Sequence, residues 1–315
     1  MVAATRQKLS DLTAARHVAL LAGGGTLAND VVAGQLLQLG SRGVVVAGGE
    51  FGQRLADHAR RAGLEFAVLD AALHPEGGTP EAPARFLDAH PDTAWVWLTH
   101  CETSTGALFD LPAMAQVCED RRVKLCAECV SSLGVVPVDL RGVWMASAAS
   151  GKGLAAYPGI ALVLSDHLAP AAPLPRALDL HLYQSPGGMP FTLGSNLIAA
   201  LHAAVSRTDW PAKFRQVQRH GRRLRQDLLA WGFAVSGGEA PASPAVLTIT
   251  LPAGVRAVNV AEAALSAGFT LAAHSDYLLE KNQLQACLMG VVRERDTRPL
   301  AALLARWVFL KARGS

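Results

Sequence analysis

The sequence predicts an α/β protein: a three-layer, mostly parallel sheet covered by helices on both faces, followed by a smaller α+β segment. Three observations predict it. Short β-rich runs alternate with amphipathic helical stretches through the first two thirds of the chain, the pattern of βαβ units. The strand runs are apolar without alternation, as in Val44-Val45-Val46-Ala47 and Trp95-Val96-Trp97-Leu98, so both of their faces are to be buried. After Gly232 the pattern changes to strands and helices that no longer alternate in this way.

In order, strands are expected at 18–22, 43–47, 65–69, 95–99, 123–129, 144–148 and 160–165. Helices are expected at 27–39, 51–62, 80–89, 111–118 and 193–206. The stretch 164–190 is rich in Pro and Gly and reads as a long excursion rather than a regular element. A longer amphipathic helix is expected over 211–231, then strands at 246–251 and 284–289 with helices at 258–267 and 297–311. The division is therefore a large unit over 1–207 and a small C-terminal one over 208–315, without internal repeats.

Composition sets the class. The chain has 315 residues, 50% of them hydrophobic and 17% charged, enough for a large core and too apolar for disorder. The net charge of +3 is mild, and the dense run at 215–225 (RQVQRHGRRLR) reads as the solvated face of a helix rather than a nucleic-acid patch. No run approaches the roughly 20 apolar residues of a membrane span. The first seventeen residues lack the apolar centre of a secretory signal, and five cysteines make an unsuitable disulfide framework, so the cytoplasm is the expected location. Cys126 and Cys129 have CxxC spacing, but no second ligand pair follows; the pair reads as small apolar filler in a buried strand, and no metal is expected.

Four polar clusters fall at predicted strand ends, where open α/β sheets bind ligands. Gly23-Gly24-Gly25-Thr26 precedes a helix, so backbone N–H groups and the helix dipole can meet an anion; a plain turn is the other reading. His100-Cys101-Glu102-Thr103-Ser104-Thr105-Gly106 follows a buried strand and suits either ligand contacts or helix capping. Glu128 ends the next strand run, in Glu128-Cys129-Val130-Ser131-Ser132-Leu133-Gly134; a carboxylate there needs a cationic partner, a protonated pyridine nitrogen or a structural one. Lys152 lies in Ser150-Gly151-Lys152-Gly153, with Pro158-Gly159 after it; an amine in a dry site becomes nucleophilic, whereas a surface lysine does not.

In this order and spacing the clusters resemble the class V aminotransferases of the fold-type-I pyridoxal 5′-phosphate (PLP) family, nearest to the alanine–glyoxylate, serine–pyruvate and 2-aminoethylphosphonate group. The resemblance carries over from about 20 to 164 and more weakly beyond. It implies that Gly24, Gly25, Thr26 and Ser150 hold the cofactor phosphate and that Phe51 stacks on the pyridine ring. It implies that Thr103 bonds the ring hydroxyl side, that Glu128 faces the ring nitrogen, and that Lys152 forms the Schiff base. It also implies a homodimer whose partner subunit completes the phosphate site; Gln184, in Tyr183-Gln184-Ser185-Pro186, falls near the matching region.

The sequence departs from the family pattern in four places. The ring-nitrogen carboxylate is Glu128 where Asp is usual. Gln285, in Leu284-Gln285-Ala286-Cys287, stands where an Arg clamps the substrate carboxylate; a neutral amide makes no charged bidentate pair, so Arg293 or Arg295 would have to serve, or the amine substrate lacks that carboxylate. The glycine loop begins about twenty residues into the chain, where the family carries several tens, and the partner-subunit phosphate motif is degenerate. Gly151 precedes the lysine where the related cysteine desulfurases have His, which argues against a desulfurase. The expected activity is transfer of an amino group from an amine to a carbonyl acceptor, with Lys152 and Glu128 as catalytic groups and Gln285 at the substrate. The alternatives are a PLP-dependent lyase or decarboxylase on the same scaffold and a non-catalytic or partner-dependent homologue.

Overall fold

The computed structural model describes residues 1–71, 78–185, 187–236 and 242–310. The chain opens α1 (Val2–Thr13), β1 (His17–Ala22), α2 (Gly25–Leu37), β2 (Gly43–Ala47), α3 (Glu50–Arg61), β3 (Phe66–Asp70), α4 (Glu81–Ala89) and β4 (Trp95–Thr99). A short hairpin of β5 (Cys101–Glu102) and β6 (Ala107–Leu108) leads to α5 (Leu111–Asp120), β7 (Lys124–Glu128), β8 (Met145–Ala149) and β9 (Ile160–Ser165). Then come α6 (Leu180–Gln184), α7 (Ser195–Arg207), α8 (Trp210–Ala230), β10 (Ala234–Ser236), β11 (Val246–Thr250), α9 (Ala257–Ser266), α10 (Asp276–Glu280) and β12 (Gln283–Cys287). The last elements are α11 (Glu294–Thr297), α12 (Leu300–Ala305) and a π-helical turn, Arg306–Leu310.

The seven expected strands pair into one sheet in the order β1-β9-β8-β7-β4-β2-β3. Strands β3, β2, β4, β7 and β8 run parallel, and β9 is antiparallel to both of its neighbours. Both faces are covered. Val45, Trp97, Cys126 and Met145 point into a core shared with α2 and α3, while Val44, Val46, Val96, Leu98 and Leu125 point into the opposite core. Alternate residues of one apolar strand thus feed two cores, which is why the strands carry no polar alternation. Burying each such side chain contributes roughly 1.5–3 kcal/mol. Gly43 has a specific reason: the Trp95 indole lies where its Cβ would be, with Trp95 Cδ2 only 1.9 Å away. A side chain there would expel the largest group in the core.

The second sheet is antiparallel, β10-β11-β12, and packs with α8, α9 and α12. Its apolar residues Leu247, Ile249, Leu284 and Ala286 belong to the same continuous cluster as one face of the large sheet. The helix expected over 297–311 is broken, because Pro299, which lacks an N–H to continue α11, caps a new helix instead. The 164–190 excursion contains the short helix α6, and the N-terminal segment forms α1. None of the described helices is long and apolar enough to cross a membrane.

Candidate active site

Parallel strands bring their C-terminal ends to one edge, so the loops after β2, β4, β7 and β8 meet there. Thr99, Glu128 and Ser147 are register neighbours across β4, β7 and β8. Two of the loops meet backbone to backbone. Gly134 adopts φ +79°, and a Cβ there would lie 2.6 Å from the Gly153 carbonyl carbon. A Cβ on Gly153 would lie 2.2 Å from Leu133 O. Only glycines allow this contact, which joins the Glu128 loop to the Lys152 loop.

Lys152 Nζ donates to Ser131 Oγ at 3.0 Å and lies 5.5 Å from the centre of the Phe51 ring. Thr103 Oγ1 donates to the same Ser131 oxygen at 2.7 Å. Phe51 at the start of α3, Thr103 in the turn after β5 and Lys152 in the loop after β8 are brought together. Glu128 is nearby and buried, accepting the Val130 N–H at 3.0 Å. Burial pushes its carboxyl up to about 7, against the opposing pull of the Lys152 charge and the Val130 N–H. Among the described residues no Lys or Arg lies at ion-pair distance from it. A cationic ring nitrogen has the charge this carboxyl lacks.

The glycine loop begins α2 with Gly24 as its N-cap and no capping side chain. The loop is tied down by Gly23 N–H donating to Gly159 O at 2.9 Å. A Cβ on Gly24 would meet nothing within 4 Å, whereas one on Gly25 would lie 2.7 Å from Val130 Cγ2. Gly24 and Thr26 are exposed, so the uncapped helix start presents free N–H groups to solvent beside the Glu128 loop. An anion cradle, an aromatic face, a buried carboxyl and an amine on one sheet edge fit PLP.

Glu102 is the residue the sequence reading passed over. It is fully buried, and its carboxylate accepts from Phe51 N (3.2 Å), Gly52 N (2.9 Å), Ser104 N (3.0 Å) and Ser104 Oγ (2.5 Å). It thus caps α3, whose N-cap Gly49 has no side chain, and fixes the Phe51 ring relative to the Thr103 turn. A Cβ on Gly49 would lie 2.3 Å from Ser104 Oγ, so the two loops meet without room for one. Ser131 was also unassigned. The signal for Glu102 was available: it is a carboxylate just after a buried strand, as Glu128 is.

Two expected contacts, those of Ser150 and Gln285, are corrected, while Gln184 is expected to serve a partner subunit's site. Ser150 Oγ is buried, donates to Tyr157 O at 2.7 Å and accepts the Ile160 N–H at 3.2 Å. It braces the lysine loop, with its hydroxyl hydrogen committed to Tyr157 O. Gln184 lies at the opposite edge of the sheet: its amide donates to Ser165 Oγ (2.9 Å) and His167 O (3.3 Å) and accepts Ala169 N–H (2.7 Å). Within one chain it does not reach Lys152, and the neighbouring Pro186 lies outside the described residues. Gln285 Nε2 has two hydrogens, and its acceptors are Thr103 O (2.6 Å), Thr248 Oγ1 (2.9 Å) and Ser104 O (3.2 Å). It clamps β12 beneath the Thr103 turn and has no N–H left for a substrate. Cys126 and Cys129 are both buried, as filler residues are.

Comparison with known proteins gives the same grouping. The family model for aminotransferase class V matches residues 1–230. A 2-aminoethylphosphonate–pyruvate transaminase of Pseudomonas entomophila is 36% identical over 205 residues, which are 62% of this chain and 55% of that protein. The chain therefore spans little more than half the length of that curated relative. Among solved structures, an alanine–glyoxylate aminotransferase of Nostoc sp. superposes with TM-score 0.87 at 25% identity, covering 96% of this chain and 85% of that one. An aspartate aminotransferase of Thermus thermophilus superposes with TM-score 0.84 at 28% identity, covering 97% and 89%. Sheet order, loop chemistry and these likenesses agree: the chain has the fold of the type I PLP enzymes and belongs to the class V aminotransferase family.

Proposed function

We propose that the protein is a PLP-dependent aminotransferase that moves an amino group from a primary amine to a 2-oxo acid. The observation that carries this reading is the Lys152 amine, held 3.0 Å from Ser131 Oγ and over the Phe51 ring, on the sheet edge that also buries Glu128. PLP bound there supplies an aldehyde that condenses with amines and a ring that takes up electrons from a substrate carbon.

The chain's own residues do the rest. The N–H groups at the start of α2, with Gly24, Gly25 and Thr26, bind the phosphate dianion. The Phe51 face supports the ring, and Glu102 holds that face in place. Glu128 favours a proton on the ring nitrogen, because a cation there relieves the cost of a buried carboxylate. Lys152 Nζ would hold and move the proton at the substrate carbon that bears the amino nitrogen. Thr103 keeps the Ser131 hydroxyl oriented toward that amine.

The substrate class follows from two supports. Curated relatives are named for 2-aminoethylphosphonate and pyruvate, an amine without an α-carboxylate and a 2-oxo acid. Gln285, committed to backbone oxygens, supplies no clamp for such a carboxylate. The rest of the reading is a large unit of 1–207 holding the cofactor, a small C-terminal one of 208–315, and a cytoplasmic homodimer. Exposure of Thr26 in the single chain supports completion of the phosphate side by a partner subunit, and five free cysteines suit a reducing compartment.

The test is a half-reaction. PLP-loaded protein is mixed with 2-aminoethylphosphonate or alanine, without acceptor, and the cofactor is extracted. Stoichiometric pyridoxamine phosphate supports transamination. Release of ammonia or carbon dioxide with PLP unchanged assigns a lyase or decarboxylase instead.

A further inference from the structure

Lys152 has one hydrogen-bond partner among the described residues, the Ser131 hydroxyl, and that hydroxyl is itself buried. Ser131 Oγ receives two donors, Lys152 Nζ at 3.0 Å and Thr103 Oγ1 at 2.7 Å. The oxygen is fixed from both sides. Its turn is closed by Ser132 N–H and Leu133 N–H, which both donate to Cys129 O, at 3.2 and 2.9 Å. The loop that carries it touches the lysine loop through Gly134 and Gly153. Lys213 Nζ donates to Gly153 O, pinning the lysine loop from the side of α8. Ser131 and Lys152 therefore sit on one rigid unit, and Thr103 sets the Ser131 rotamer.

A lysine side chain has four rotatable bonds, and an unheld amine samples many positions beside the Phe51 ring. A single directional bond to a fixed oxygen selects one of them. We propose that Ser131 is a positioning residue that holds Lys152 Nζ, through its buried hydroxyl, in place for attack on an aldehyde. The proposal rests on the PLP reading above and adds a residue that the family resemblance does not assign. The step it serves is balanced without a further reactant. The neutral amine nitrogen adds to the aldehyde carbon, a carbon–nitrogen bond forms, and the aldehyde oxygen leaves as water with the two amine hydrogens. The same contact receives the amine again each time a substrate amine displaces it.

The experiment follows the rate of linkage rather than turnover. Cofactor-free wild type, Ser131→Ala and Thr103→Val are mixed with PLP, quenched with borohydride at intervals, and the fraction of protein labelled at Lys152 is read by peptide mass. In parallel, each protein is titrated with 4′-deoxypyridoxine phosphate, which has the ring and phosphate but no aldehyde. Losing one hydrogen bond to a positioned amine corresponds to about a tenfold slower linkage in Ser131→Ala. Thr103→Val, which leaves the Ser131 contact but frees its rotamer, is slowed by a smaller factor. Affinity for the aldehyde-free analogue stays unchanged in Ser131→Ala. Equal linkage rates in wild type and Ser131→Ala overturn the proposal. So does a loss of analogue affinity in proportion to the rate, which makes Ser131 a packing residue. A wild type that takes no label at Lys152 instead overturns the PLP reading itself.

Discussion

Replacing Glu128 by Gln removes a buried proton-binding group, and its signature is a change in how stability depends on pH. In the folded, cofactor-free protein the Glu128 carboxyl is pushed up to about 7 from an ordinary value of 4.5, mainly by burial. Between these values the folded chain holds a proton that the unfolded chain releases. Stability from this group is therefore fully present below about 4.5 and is lost as pH rises through about 7. The interval of about 2.5 units corresponds to about 3 kcal/mol, with a steepest slope of about 1.2 kcal/mol per pH unit. Gln keeps the size and the carbonyl oxygen that accepts the Val130 N–H but carries no proton equilibrium. Urea unfolding of both cofactor-free proteins at pH 5, 6, 7 and 8 measures the difference. Relative to wild type, Glu128→Gln gains about 2.5 kcal/mol between pH 5 and pH 8. A difference between the two proteins that is the same at every pH refutes the burial argument.

Glu102→Ala strands the N–H groups of Phe51, Gly52 and Ser104, and costs roughly 3 kcal/mol by urea unfolding; it also weakens PLP binding in equilibrium dialysis, because Phe51 loses its anchor. A cost below 1 kcal/mol refutes the capping role. Gln285→Leu leaves the Thr103 carbonyl short of a donor and lowers stability by about 1–3 kcal/mol, read from the same titration. Gly24→Ala and Gly25→Ala separate cradle from packing. The first has open space at Cβ and keeps its melting temperature while losing phosphate affinity; the second places a methyl 2.7 Å from Val130 Cγ2 and lowers the melting temperature.

The sheet was legible because its signals are local. Every expected strand in the first two thirds appears within two residues of its place, since apolar runs such as Val44-Val45-Val46 leave no other way to bury both faces. Lys152, Glu128, Phe51 and Thr103 were singled out by the family resemblance, and each lies at or shortly after a strand end, where parallel strands bring residues together. What the sequence did not reveal depends on contacts between distant segments. Gln285 and Thr103 are 182 residues apart, and only the folded chain shows that the amide serves a backbone carbonyl. Ser150 looked like a phosphate ligand, but the turn back through Tyr157 takes its hydroxyl inward. Ser131 carried no isolated signal, since Ser in turns has ordinary capping uses. The β5–β6 hairpin was missed for its length, two residues in each strand.

The central claim is that Lys152 is the residue that binds PLP covalently. Purified protein with PLP is reduced with borohydride, digested, and the labelled peptide is sequenced by mass spectrometry, with Lys152→Ala as control. The account predicts one label per chain, on Lys152, and none on the Lys152→Ala protein. A label on Lys213 or another lysine, or equal labelling of the Lys152→Ala protein, contradicts it.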